Sequence, residues 1–80
     1  MSEKTVTVGK SFDARQVAFF VQTASKYASK IMITIDNKTV NAKSIMGIIS
    51  LGISQGQQVK IAAEGEDANQ AADEIATVLA

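Results

Sequence analysis

A chain of eighty residues without a single histidine or cysteine excludes imidazole and thiolate chemistry, disulfide staples and the usual zinc ligand sets. Eight basic and eight acidic side chains cancel to a formal charge of zero, which disfavours direct nucleic-acid binding, a function that needs a basic footprint. A hydrophobic fraction of 46% suits one small domain spanning 1–80, whose single core typically supplies about 3–5 kcal/mol.

In chain order, Thr5 to Val8 alternates, with Val6 and Val8 on one side, and reads as a strand. Gly9-Lys10-Ser11 is a loop. Asp13 to Ala28 carries Val17, Phe20, Val21, Ala24 and Ala28 on one helical face. Ile31, Ile33 and Ile35 alternate with Met32 and Thr34 as a second strand. Asp36-Asn37 turns the chain into a short third strand, Lys38 to Val40. Ile45 to Leu51 is a short helix, with Ile45 and Ile48 as its inward pair, and Gly52 and Gly56 flank the loop after it. Val59, Ile61 and Ala63 mark a fourth strand. Ala68 to Leu79 closes the pattern as a helix with a stripe of Ala68, Ala71, Ala72, Ile75, Ala76 and Leu79.

Each strand has one apolar face and each helix one stripe. The simplest burial is an α+β, open-faced β-sandwich: a four-stranded, mainly antiparallel sheet covered on one face by three helices, in the order βαββαβα. No apolar run approaches the ~20 residues that span a bilayer, and Met1-Ser2-Glu3-Lys4 leads straight into a strand pattern, so a cytoplasmic protein with no membrane partner is expected.

Three acceptors precede helical stripes. Asp13, three residues before Gln16, has the spacing of a capping box, and so has Asp67 with Gln70. Ser44 stands just ahead of the short helix and reads as its N-cap. Met46 and Ile49 fall off the inward stripe of the short helix, Phe19 faces away from that of the first, and Phe12 lies beside Asp13. With Arg15 and Lys43 at the margins, these residues define a candidate partner-binding patch. Six of the eight basic residues lie between Lys10 and Lys43, and five of the eight acids between Glu64 and Glu74. That asymmetry is either a basic front for acidic or phosphate-bearing partners or two ordinary solvated faces. The acids near Glu64-Glu66-Asp67 are scattered in a loop, and Gly47, Gly52 and Gly56 lack the pattern of a phosphate loop. Neither a metal nor a cofactor is expected.

Two segments carry a family resemblance. Phe12-Asp13-Ala14-Arg15-Gln16, running into Val21-Gln22-Thr23-Ala24-Ser25-Lys26-Tyr27, and Asn41-Ala42-Lys43-Ser44-Ile45-Met46-Gly47 together resemble HPr, the small phosphocarrier of the bacterial sugar phosphotransferase system. In that family a His-Ala-Arg-Pro motif opens the first helix, and its histidine carries the phosphoryl group. Here Asp13 and Gln16 stand at the histidine and proline positions, Arg15 is retained, and Ser11 takes a place usually held by glycine in a shortened loop. The serine motif is complete. The resemblance therefore implies the histidine-lacking, catabolite-repression branch of the family: a non-enzymatic regulator switched by phosphorylation of Ser44. The implied partners are the HPr kinase/phosphorylase and a catabolite-control repressor, with enzyme I and the sugar-specific phosphotransferase components behind them. Asp13 keeps three readings: an N-cap alone, an acyl-phosphate acceptor in a divergent or engineered carrier, or a fixed charge that biases recognition. A protein that keeps the fold but takes part in neither pathway is a further alternative.

Overall fold

Alternation builds the sheet. In the computed structural model, which describes residues 1–80, the isoleucines of β2 (Lys30–Ile35) are buried while Lys30 stays exposed and Met32 and Thr34 are half-buried. β4 (Gln58–Glu64) repeats the pattern with Val59, Ile61 and Ala63 inward. β2 and β4 pair antiparallel, Ile33 opposite Ile61 and Ile31 opposite Ala63. β1 (Ser2–Thr7) adds to the free side of β4, with Val6 opposite Val59. β3 (Lys38–Asn41) adds to the free side of β2, with Ile33 opposite Val40. The strand order is β1-β4-β2-β3, and every pairing is antiparallel.

Three helices cover one face. α3 (Ala68–Leu79) packs over β1 and β4, α2 (Ile45–Leu51) against β3, and α1 (Ala14–Ser25) against both other helices. One apolar cluster joins the layers, with Phe20, Ile31, Ile33, Ile48, Ile61, Ile75 and Leu79 essentially inaccessible to water. Burial of each such side chain is worth about 1.5–3 kcal/mol, so this cluster dominates the stability of the fold.

Several boundaries differ from the pattern reading. β1 begins at Ser2 and ends at Thr7, and Val8 is buried just beyond it; pairing to β4 extends the strand into residues with no hydrophobic signal. α1 stops at Ser25, so Ala28 is exposed and outside the helix. In α2 the inward pair is Ile48 and Leu51, and Ile45 is 51% exposed. Both pairs are three residues apart. The place of α2 beside β3 selects between them, and the sequence holds no record of that place.

The topology fixes where the functional segments go. β1 and β2 run parallel with β4 between them, so α1 crosses the length of the sheet. The chain returns through β2 and β3, so α2 starts near the end of α1 and runs back along it. Lys43 accordingly reaches Tyr27 after α1, while Gly52 and Ile53 meet Phe12 and Asp13 before it.

Candidate functional site

At the start of α1, Asp13 takes an extended conformation (φ −87°, ψ −175°), and its Oδ1 accepts from the Gln16 amide at 3.0 Å. This is the aspartate half of the capping box. Such a cap stabilises a helix by about 1 kcal/mol over alanine, and the positive helix end favours the charge. Asp13 and Arg15 are both exposed. No group of three or more acidic side chains converges anywhere in the protein to hold a metal ion. Phe12 is half-buried, its ring edge-on to Phe20 with centroids 5.8 Å apart, so it is as much a part of the core margin as of any surface.

At the start of α2, Ser44 caps in the same way, its Oγ accepting from the Gly47 amide at 3.1 Å. Gly47 lies in a tight place: a Cβ there would sit 3.2 Å from both Ser44 Oγ and Val40 Cβ, closer than ordinary contact. The loop before Ser44 is held tightly. The Lys43 amide donates to Asn41 Oδ1 at 2.8 Å, and the Ser44 amide to the Asn41 carbonyl at 3.0 Å. The Lys43 ammonium donates to the Tyr27 carbonyl at 2.7 Å. Ser44 itself is half-buried. At the far end of α2, Gly52 closes the helix in the left-handed region (φ 69°), a conformation that favours glycine.

Between α1 and α2 runs an apolar groove of about 380 Å³, lined by Phe12, Ala14, Val17 and Ala18 on one side and Ile45, Ile48, Ile49 and Ile53 on the other. Asp13 stands at one end, and Ser44 precedes Ile45 at the other. The two capping residues therefore lie at opposite ends of one seam. Of the patch residues, Phe12 and Ile49 meet in the groove. Met46 is 74% exposed on the outer side of α2. Phe19, 53% exposed, does not line the groove; it follows Ala18 by about 100° around the helix and shares a face with Arg15, one turn earlier. Ile45, which the helical pattern placed in the core, belongs to the exposed set.

A second cluster, absent from the sequence reading, ties the end of α1 to α3. Asp67 does not cap its own helix. Its carboxylate instead accepts from the Ser29 hydroxyl, the Ala28 amide (2.9 Å) and the Ser29 amide (3.0 Å). The Ser29 hydroxyl and then the Ala28 amide hold the Asp67 carboxyl below its ordinary range, against a smaller opposing effect of burial. Glu74 accepts from the Tyr27 phenol and from Lys26 at 3.0 Å. The phenol first and Lys26 second lower the Glu74 carboxyl, and the Glu74 hydrogen bond, with burial and nearby negative charge, raises the Tyr27 phenol. No sequence signal marks these bonds, since their partners lie 38 to 48 residues apart.

A four-stranded antiparallel sheet with three helices on one face, and capped helix starts at Asp13 and Ser44, places the chain in the class of small open-faced α+β sandwich domains. Over residues 2–80 the sequence matches the family described as "PTS HPr component phosphorylation site". The chain belongs to the HPr family. It is 42% identical over 71 residues to the HPr-like protein Crh of Bacillus subtilis (strain 168), covering 89% of this chain and 84% of that protein. It is 45% identical over 73 residues to the Crh of Halalkalibacterium halodurans, covering 89% and 87%. The structure superposes on the phosphocarrier protein HPr from Bacillus anthracis str. Ames with a TM-score of 0.95 at 43% identity, covering 99% of this chain and 96% of that one. The chain is thus HPr-like and similar to Crh, in a carrier and regulator family rather than an enzyme family. No helix is long and apolar enough to cross a membrane.

Proposed function

We propose that this protein is a phosphorylation-switched docking module of carbon catabolite repression, with Ser44 as the switch. The HPr kinase/phosphorylase transfers the γ-phosphoryl group of ATP to Ser44 Oγ, and the phosphoserine form then binds a catabolite-control repressor in the cytoplasm. The observation that carries this reading is the coincidence of a half-buried capping hydroxyl with the exposed Ile45, Met46 and Ile49 within the next five residues. Phosphate at that place adds close to two negative charges beside apolar contacts. A helix start tolerates the charge, so the fold stays and the surface changes. A partner arginine or lysine can then read the dianion while Met46 and Ile49 bury. Arg15 and Phe19 sit together on the next face of α1 and extend the same docking surface.

In this reading Asp13 is a cap and a fixed charge, not a carrier. It accepts from its own helix and would repel a phosphorylated donor. The test runs two labellings side by side. Kinase with ATP should phosphorylate the protein stoichiometrically, and Ser44→Ala should abolish it; an intact mass with no phosphate on Ser44 would falsify the reading. Enzyme I with phosphoenolpyruvate should leave no hydroxylamine-labile label on Asp13. Asp13→His with Gln16→Pro asks whether the remaining surface still serves a carrier.

A further inference from the structure

Lys43 stands next to the proposed switch, and its position suggests a ready counter-ion for a phosphate. The structure gives that ammonium another task. It donates to the Tyr27 carbonyl at 2.7 Å, and the lysine is half-buried. The carbonyl lies just past the end of α1, where unpaired carbonyls and the negative end of the helix dipole favour a cation. Tyr27 is anchored in turn: its phenol donates to Glu74, and the adjoining Ala28 and Ser29 amides are held by Asp67. The acceptor therefore does not drift. On the other side, Ala42 is buried with its amide on the Ile31 carbonyl at 2.9 Å, and Asn41 holds the amides of Lys43 and Ser44. The Ser44 hydroxyl points to the Gly47 amide on the α2 side.

We infer that Lys43 is a positioning residue. Its ammonium stays on the Tyr27 carbonyl when Ser44 is phosphorylated, so it locks the Ser44 loop to the end of α1 and is withheld from the phosphate. Moving it to the phosphate would strip a half-enclosed carbonyl of its donor and free the loop from α1. The consequence is a specificity rule: the cation that reads the phosphate comes from the partner, because the neighbouring ammonium is anchored at the end of α1 while the Ser44 hydroxyl faces the α2 amides. This rests on Ser44 being the modified residue.

The test uses the full chain synthesised with phosphoserine at position 44, so it does not depend on any kinase. The second ionisation of that phosphate, near about pH 6, is followed by ³¹P NMR with and without Lys43→Met. An ammonium kept on the Tyr27 carbonyl acts on the phosphate only through solvent, where salt screens charges over about 8–10 Å, so its loss should raise the phosphate pKa by less than about half a unit. A contact ion pair would give a shift of about 1–3 units. The Tyr27 carbonyl ¹³C resonance should move on Lys43→Met and stay in place on phosphorylation. A rise of half a unit or more, or a Tyr27 carbonyl that shifts on phosphorylation as it does in Lys43→Met, overturns the inference. If Lys43→Met fails to fold, Lys43→Gln reads the same two signals. Failure of the kinase experiment would remove the function proposed above and leave this result standing, so the two failures are distinct.

Discussion

Ser44→Ala is the obvious negative control for phosphorylation, and the structure shows that it also removes a structural bond. The Ser44 hydroxyl is the acceptor for the Gly47 amide. α2 has only seven residues, well below the ~12–15 at which an isolated helix becomes marginal in water, so it depends on its cap and on the burial of Ile48 and Leu51. Losing an N-cap serine costs about 0.5–2 kcal/mol. Ser44 is only half-buried, so water can replace part of the bond and a value near 1 kcal/mol is expected. A chain of this length has a total stability of about 4–12 kcal/mol, so the loss is a measurable fraction, a fall in Tm of about 4–8 °C. Ser44→Asp supplies an equivalent acceptor and a charge suited to the helix start; it should stay within about 0.5 kcal/mol of the parent. Urea unfolding followed by far-ultraviolet circular dichroism, with the slope m unchanged across the series, measures both. Equal stability of Ser44→Ala and the parent, or equal destabilisation by Ala and Asp, would refute the capping argument and leave the hydroxyl free for its regulatory role alone.

Other outcomes follow from the cluster between α1 and α3. The Asp67 carboxyl ionises more readily in the folded state than its unfolded value of about 3.9, so its contribution is present above about pH 4 and is lost as pH falls through the lowered folded value. Asp67→Asn should therefore destabilise the protein near neutrality and flatten the acid side of the stability profile; urea midpoints that track the parent at every pH would contradict this. The raised phenol of Tyr27, the sole tyrosine in a chain without tryptophan, can be followed by ultraviolet absorbance, and Glu74→Gln should bring its titration back toward about 10. An unchanged titration would show that Glu74 does not control it. Phe20→Ala empties the centre of the core and should cost about 3–5 kcal/mol, with Tm falling on the order of 20 °C. A drop of only a few degrees in calorimetry would mean that Phe12, edge-on to Phe20, collapses into the space.

The amino-acid sequence alone determined the elements and their order. Isoleucines at every second position of β2, the alanine stripe of α3 and acceptors before α1 and α2 are local signals, and each works through neighbours within a turn or a pleat. The same locality made Asp13 and Ser44 legible as caps and made the absence of an imidazole decisive. Tertiary structure decided the rest. Whether Ile45 or Leu51 joins Ile48 in the core depended on where α2 settles beside β3. Asp67, spaced to cap its own helix, instead binds Ala28 and Ser29, because the fold delivers three donors from a distant loop. Lys43 reads as a surface charge until Tyr27 is brought to it. Phe12 and Ile49 are brought together in the groove between the first two helices, while Phe19, equally apolar, lies outside that groove. In each case local rules left more than one option open, and contacts between residues far apart in the chain chose between them.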